Sequence, residues 1–325
     1  MNTLKNQIRT LFLTGLGVAA LTGCAPSTYQ VSAPETSQIQ YMSFNEGKQA
    51  GIALEDKRAE SDKIFSSGIL KAGLLFEDTP IDPVSYLEKF TYAELESRGI
   101  KFDDNSEKMA VSINKLFMKN HRSSAYSPFV TMTHLSADLK TNNGSERIVV
   151  FIKRGKVPVW SFDEIIEPTL NEPLSLLVKE FSAKINQHLY QHKITDADVT
   201  TLVNSIKSAA DQNANYEKVY ALGFGNNKTA IPALVEFSKS EDEYVRLAAI
   251  SSLGVLKAVD QFDYLKGIVT DGKLWQDRAM ALKAIGDFGT AQSKEFLETA
   301  KSKLDTVENA KEREWSGALI GLYLD

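Results

Sequence analysis

Two histidines in the stretch HLYQH, His188 and His192, stand four residues apart, which places both on one side of a helix. Imidazoles at this spacing are able to bind a metal ion, and Asp196 and Asp198 follow closely enough to complete such a site. The zinc-protease motif also needs Glu directly after the first histidine to activate water, and Leu189 stands there instead. The alternative is a polar face at the end of a helix, where cationic side chains suit the negative end of the helix dipole. We therefore predict no metal site.

Other patterns of catalytic residues do not occur in the sequence. It contains no glycine-rich phosphate loop and no Gly-x-Ser-x-Gly nucleophile motif. His121 and His134 are isolated, and we expect exposed or hydrogen-bonded side chains there rather than catalytic bases. The acidic groups at 103–104 and 241–243 fall in turn-like segments, where solvation and helix capping are their usual roles. We predict no catalytic residue and no cofactor, and we expect that the protein is not an enzyme.

The only cysteine, Cys24, ends an N-terminal segment with the three-part layout of an export signal. Lys5 and Arg9 precede an apolar run over 11–20, and this run is about half the roughly 20 residues that a membrane-spanning helix needs. The residues LTGC at 21–24 resemble the lipobox of bacterial lipoproteins, in which a signal peptidase cleaves before a cysteine whose sulfur carries a diacylglyceryl group. The resemblance predicts a signal peptide over 1–23 and lipidation at Cys24.

Lipidation of Cys24 implies a location. Acyl chains on this residue would hold the protein stably on a bilayer. In lipoproteins of this type Asp after the cysteine tends to retain the product at the inner membrane, whereas Ala25 follows here, so the resemblance implies the outer membrane, facing the periplasm. The alternative is a secreted protein whose cleavage site happens to contain a cysteine. Because no second thiol exists, disulfides, thiol catalysis and cysteine metal sites are excluded. A net charge of −5 argues against nucleic acid as a partner.

The rest of the chain divides into three parts by composition. Residues 24–44 are rich in Ser, Thr, Pro and Gln, which predicts a flexible tether. β-branched and aromatic residues in alternating runs predict an α+β domain over 45–194. Ala, Leu, Lys and Glu at helical spacing predict an all-α domain over 200–325. We expect brief proteolysis to separate the two folded domains near 193–215.

Within 45–194 the sequence predicts strands joined by turns and two long helices. The strands are expected at 50–54, 69–76, 109–118, 130–139, 148–152 and 157–162. One helix begins at Asp82-Pro83 and ends at Gly99, and the other carries an apolar stripe from Leu174 to Leu189. An antiparallel or mixed sheet packed on these helices follows. This order, with GIALEDKRAE and ELESRGIKF, resembles the YajG-type lipoproteins of Gram-negative bacteria over 45–185, and no functional residue transfers from that family.

The second domain repeats itself. The stretches YALGFG, ISSLGVL, LKAIGDF and GALIGLY align on Gly223, Gly254, Gly286 and Gly321, at intervals of 31, 32 and 35 residues. Each unit contains a helix with small residues and a second apolar stretch, and such units must stack into a solenoid. The pattern is similar to HEAT-like repeats, including those of phycobilisome lyases, although no bilin chemistry follows from it. Tetratricopeptide repeats are the competing assignment, but their regular period of 34 does not fit.

Arginines recur in three of the four units, eight residues before the glycine, at Arg246, Arg278 and Arg313, while Asn215 stands at that place in the first. They predict one ridge of the solenoid, which either binds a protein partner or forms a structural ladder with the neighbouring acids Glu243, Asp277 and Glu312. The sequence as a whole predicts an outer-membrane lipoprotein that acts as a periplasmic protein-protein interaction adaptor. The alternative is an envelope binding module whose α/β domain recognises lipid or peptidoglycan.

Overall fold

A computed structural model gives the arrangement of the chain. It describes residues 28–43, 47–69, 73–124, 126–141, 144–156, 163–209 and 215–325. The signal peptide 1–23, Cys24 and the strand expected at 157–162 lie outside the described residues.

The described residues form an α+β domain followed by an all-α region, which confirms the predicted fold class. The strands are β1 (Thr28–Gln30), β2 (Tyr41–Met42), β3 (Ile52–Asp56), β4 (Ser66–Gly68), β5 (Gly73–Phe76), β6 (Thr79–Pro80), β7 (Met109–His121), β8 (Phe129–Thr141), β9 (Gly144–Lys156) and β10 (Lys193–Ile194). The helices are α1 (Pro83–Ser97), α2 (Asp163–Ile166), α3 (Glu172–Leu189), α4 (Asp196–Ser208), α5 (Asn215–Phe224), α6 (Ile231–Phe237), α7 (Glu243–Val255), α8 (Phe262–Asp271), α9 (Trp275–Asp287), α10 (Ala291–Ser302) and α11 (Ala310–Leu324).

The largest sheet is mixed and has the order β3-β7-β8-β9, with β4 also beside β7. β3 and β4 run parallel to β7, while β7, β8 and β9 form an antiparallel meander. Alternating apolar residues set the register, because a slip of one position would turn them away from the core. Leu116, Leu135 and Val150 lie side by side on the three long strands, and all three are fully buried.

Two long helices pack with this sheet. α1 begins where predicted, since the Asp82 carboxylate accepts a hydrogen bond from the Ser85 amide at 2.7 Å and Pro83 occupies the first turn. Its apolar residues Val84, Leu87, Phe90 and Leu95 are buried. α3 packs against α1 and against β8 and β9, and it buries Phe181 and Ile185 completely.

The expectation of a tether over 24–44 is corrected for residues 28–43, which lie on the folded body. β1 pairs in parallel with β5, and β2 pairs with β10. Val31 and Tyr41 are buried in the common core. The Ser37 amide donates to the Glu94 carboxylate at 2.8 Å. The composition of this segment suggested a coil, but the few apolar and hydroxyl side chains of residues 28–43 have specific partners on the folded body.

The all-α region stacks its units through α5, α7, α9 and α11. A Cβ atom on Gly223 would lie 2.4 Å from the Ser252 Cβ, and one on Gly254 would lie 2.5 Å from the Ala284 Cα. These glycines stand in the last turn of their helices and permit the next unit to approach closely. No helix in the described part of the chain is long and apolar enough to cross a membrane.

Candidate functional site

Arg246 lies at the start of α7 and binds groups of its own and the next unit. Its Nε donates to the Asp277 carboxylate at 2.8 Å, and its Nη1 donates to the carbonyl of Ser240 at 2.8 Å. The side chain is only 12% exposed. Burial is the largest influence on the pKa of Asp277 and raises it, and hydrogen bonding from Arg246 opposes that rise.

Arg278 repeats this arrangement one unit later. Its Nε and Nη2 donate to the two carboxylate oxygens of Glu312 at 2.7 and 2.5 Å, and its Nη1 donates to the carbonyl of Gly272 at 2.6 Å. The hydrogen bonds that Arg278 donates to Glu312 contribute most to the raised pKa of Arg278. A bidentate pair of this kind fixes the angle between neighbouring helices.

Arg313, in α11, also binds the loop that precedes its own helix, because its Nη1 donates hydrogen bonds to the carbonyls of Val307 and Glu308. Glu243, in contrast, pairs with Lys153 of β9 at 2.5 Å instead of with an arginine. The three arginines therefore form a ladder that ties loops and successive units together. Their geometry favours the structural alternative, while the binding role of Arg246, Arg278 and Arg313 stays a prediction.

A buried cluster of four charges joins the α+β domain to the repeats. Lys283 of α9 is fully buried, and its ammonium lies 2.5 Å from a carboxylate oxygen of Glu180 and 3.0 Å from one of Asp287. Lys184 of α3 lies 2.7 Å from Asp287 and 2.9 Å from Glu180. The Tyr323 hydroxyl of α11 donates to Asp287 at 2.7 Å. Two ammonium groups thus face two carboxylates, and the cluster is neutral as a whole.

The attraction between opposite charges in this cluster outweighs the effect of desolvation on the pKa values of Lys283 and Asp287. Desolvation alone would lower the pKa of Lys283, but the Asp287 and Glu180 carboxylates raise it above its ordinary value. Desolvation alone would raise the pKa of Asp287, but Lys184 and Lys283 lower it. Lys283 and Asp287 are therefore both ionised at neutral pH, and each depends on the charges around it.

A cleft of about 360 Å³ borders this cluster and is lined by β9, α3, the start of α10 and the C-terminal ends of α7, α9 and α11. His188 lines it, and burial lowers the pKa of this side chain to about 4, so the imidazole is neutral there at pH 7. Lys257 also lines the cleft and holds a left-handed backbone with φ of 49°. The cleft presents charged and hydrogen-bonding groups from both domains, which suits polar ligands better than apolar ones.

A second cavity, of about 400 Å³, is a mostly apolar groove on the outside of the repeats. Its lining comes from α8, α9, α10 and α11, and the apolar members are Val269, Leu282, Phe296, Ala300, Leu304 and Val307. The Arg278 and Glu312 pair stands in its wall. We call this cavity the outer groove. It has the shape and lining to receive the apolar side of a partner segment.

The histidines do not form a metal site in the described residues, where no group of three or more His, Cys, Asp or Glu is placed to hold an ion. α3 ends at Leu189, before the second histidine, so His188 and His192 do not share a helix face. His192 is buried, and its Nδ1 lies 3.0 Å from the carbonyl of Arg98.

His134 is not exposed, but it meets the other half of the expectation, because it forms a hydrogen bond with the backbone of Met132. It is buried between Phe117 and Phe151 on neighbouring strands, and its Nδ1 has no hydrogen-bond partner among the described residues. Burial lowers its pKa to about 3. His121 lies edge-on to Trp315, and burial lowers its pKa as well. Neither geometry is that of a catalytic base.

Reasoning from the sequence missed the buried cluster and the outer groove. The cluster had a signal, because Glu180–Lys184 and Lys283–Asp287 are both four-residue pairs inside otherwise apolar helices. The groove had none, since it depends on the distance between helices that belong to different units.

Comparison with protein families matches part of the all-α region. No curated protein matches the chain in sequence. The resemblance to YajG-type lipoproteins over 45–185 therefore stays a prediction. The family model of HEAT repeats matches residues 199–286, from α4 to the last turn of α9. The α+β domain is thus followed by an all-α region whose residues 199–286 are similar to HEAT repeats.

Proposed function

We propose that the protein is an envelope lipoprotein, anchored in the outer membrane by lipid on Cys24 and facing the periplasm, whose repeats bind a protein partner. HEAT repeats are in general modules of protein interaction. The signal-like segment that ends in LTGC supports the anchor. Together these features favour an adaptor over an enzyme.

The outer groove is the observation that supports the partner site best. Helix-in-groove recognition uses an apolar channel between helices with polar groups at its edge. The outer groove has both, because Phe296 and Leu304 supply apolar surface while Lys303 lies at its edge. Arg246 and Arg278 have fewer donors available to a partner, since their guanidinium groups already form ion pairs within the fold. We therefore centre the proposed partner site on the apolar lining of the groove, with Arg278 of the ridge in its wall.

Crosslinking in intact cells tests the groove. A photoreactive residue at Thr299, which is exposed and lines the groove, is expected to give an adduct with a partner protein. The same residue at Glu298, one position away on α10 and outside the lining, is the matched control. Thr299→Arg should abolish copurification of that partner while Glu298→Arg preserves it. Equal adducts from both positions, or equal copurification with both variants, would contradict the groove as the binding site.

The anchor has its own test. Cells that are fed a palmitate analogue should label the wild-type protein, whereas Cys24→Ala should accumulate as unlabelled precursor. Separation of inner and outer membranes then shows where the labelled protein lies. Equal labelling of the two proteins would refute lipidation at Cys24.

A further inference from the structure

The cleft that borders the buried cluster contains two lysines that the fold itself does not pair. Lys257 follows α7 and Lys294 lies in the first turn of α10, and both line the cleft. Neither ammonium group forms an ion pair or a side-chain hydrogen bond with any residue that the structure describes. The other two cations of the lining, Lys184 and Arg147, form ion pairs with carboxylates of the fold. Unpaired cations in a concave site favour an anionic ligand.

The backbone at Lys257 is unusual for a lysine. Its φ is 49°, in the left-handed region. Lys257 stands three residues after Gly254, and the same place in the units on either side is held by Asn226, with φ of 54°, and Gly289, with φ of 67°. Asn and Gly adopt this conformation readily, whereas a lysine adopts it at a cost in stability. A functional role of the ammonium group in the cleft accounts for that cost.

Groups that form hydrogen bonds lie beside these lysines. The imidazole of His188 has no hydrogen-bond partner in the described part of the chain, and because burial lowers its pKa to about 4, the neutral ring at pH 7 has one donor and one acceptor. Lys257 lowers that pKa further and Glu146 opposes the change, so both charges lie near the ring. The carboxylate of Glu146 also lacks an ion pair among the described residues. A ligand in the cleft therefore meets hydrogen-bond acceptors as well as cations.

Helix ends divide the cleft in the same way. α10 begins there, with Thr290 as its N-cap, and the amide groups at the start of a helix favour anions. α7, α9 and α11 end there, and the carbonyl groups at the end of a helix favour hydrogen-bond donors such as hydroxyl groups. One part of the cleft thus suits a carboxylate, and another part suits hydroxyl groups.

We propose that this cleft binds a small sugar acid, which is a molecule with one carboxylate and several hydroxyl groups. The carboxylate pairs with Lys257 and Lys294, while the hydroxyl groups bond with Glu146, His188 and the helix ends. The three charges that have no partner in the described fold leave an excess of one positive charge, which matches a monoanion better than a phosphate dianion. The volume of about 360 Å³ lies at the small end of the range for ligand pockets.

This site is separate from the outer groove. α10 contributes Lys294 and Leu297 to the cleft, and it contributes Phe296 and Thr299 to the outer groove. Two faces of one helix thus line two cavities of different character. The sugar acid is a second ligand, and its binding does not require the partner of the proposed function.

Calorimetric titration of the purified full-length protein tests the site. Glucuronate and galacturonate are the sugar acids, glucose has similar hydroxyl groups without the carboxylate, and inorganic phosphate has the anion without the hydroxyl groups. At equal ionic strength one of the sugar acids should bind about tenfold more tightly than glucose or phosphate, because charge-assisted hydrogen bonds and hydroxyl contacts then act together. Binding of glucose or phosphate with equal affinity, or binding of neither sugar acid, would overturn the proposal.

Lys257→Asn separates binding from folding. The variant loses the ammonium group and carries the residue that the preceding unit has at this place. Its affinity for the sugar acid should fall about tenfold, whereas its Tm should rise by about 1–2 °C because asparagine adopts the left-handed conformation more readily. Lys294→Gln repeats the test at an exposed helical position and should lower the affinity without a change in Tm.

Lys273→Asn is the matched control, because Lys273 is an exposed lysine of the loop before α9 and lies outside the lining of the cleft. It should change neither the affinity nor Tm. An affinity that Lys257→Asn and Lys294→Gln leave unchanged, or that Lys273→Asn lowers as much, would overturn the assignment of the two lysines to the site.

Discussion

Replacement of Lys283 by Met should destabilise the protein strongly. The methionine fills the space of the lysine stem, so the change removes the charge and little packing. Glu180 and Asp287 then face only Lys184, which leaves an uncompensated negative charge in a fully buried cluster. Removal of one partner from a buried ion pair costs about 3–5 kcal/mol in the free energy of unfolding. At about 2 °C per kcal/mol for a chain of this size, Tm should fall by roughly 6–10 °C.

The pH dependence of the free energy of unfolding tests the role of the buried cluster a second time. In the wild type, the lowered pKa of Asp287 stabilises the fold above the ordinary carboxyl range, and this contribution is lost as pH falls through the folded pKa. The raised pKa of Lys283 stabilises the fold below about 10.4, and this contribution is lost as pH rises toward the folded pKa. In the variant the excess negative charge favours uptake of a proton by the cluster. The stability deficit should therefore shrink between pH 7.5 and pH 5.5.

Urea denaturation of wild type, Lys283→Met and Lys207→Met measures these differences. Lys207 pairs with Glu236 on the surface, where both side chains are about half exposed, so its loss should cost below about 1 kcal/mol. The double variant Glu180→Gln with Lys283→Met restores neutrality and should be more stable than Lys283→Met alone. A loss with Lys283→Met no larger than with Lys207→Met, or a deficit that grows at acid pH, would refute the role given to the cluster.

Two further predictions concern single side chains. Burial lowers the pKa of His134 to about 3, so between pH 7.5 and pH 5 the unfolded chain binds a proton at this residue that the folded chain does not. The free energy of unfolding of the wild type should therefore fall by about 2 kcal/mol over this range through His134. His134→Phe should remove that loss, which urea denaturation at the two pH values measures. Gly254→Ala should lower the stability of the protein by about 2–3 kcal/mol, because α7 and α9 must move apart to admit the methyl group. Gly267→Ala should raise the stability by up to about 1 kcal/mol, because a Cβ atom there meets nothing within 4 Å. Thermal melts of the two variants measure both changes.

The parts of the fold with strong periodicity were predictable from sequence. The long strands and α1 and α3 lie within a few residues of their expected positions, because each buries one face and the pattern of that face is local. β1 and β2 were not predictable, since two- or three-residue strands are stabilised only by pairing with distant partners such as β5 and β10. The chain at 28–43 therefore looked like a tether although it belongs to the body.

The candidate site was less predictable than the fold. Repetition of Arg246 and Arg278 was visible in the sequence, but their partners were not, and the same residues fit a binding stripe or a ladder equally well until distances are known. The outer groove depends on the spacing between α8 and α10, which no local pattern encodes. The charged cluster contradicts the rule that lysine faces solvent, and it occurs because two charged pairs from distant helices neutralise each other.

The buried cluster also constrains the order of folding. Glu180 and Lys184 find their partners 103 residues later, at Lys283 and Asp287. As the chain is made, or as it emerges from a membrane pore, α3 has only its own Glu180–Lys184 pair until Lys283 and Asp287 of α9 complete the cluster. Contacts of such long range slow folding and prolong the exposure of unfinished cores to proteases. In place of the two stable proteolytic fragments that composition led us to expect, the cluster therefore predicts one cooperative unfolding transition for the whole body. A chain that ends before α9 should be degraded instead of accumulating as a stable N-terminal domain.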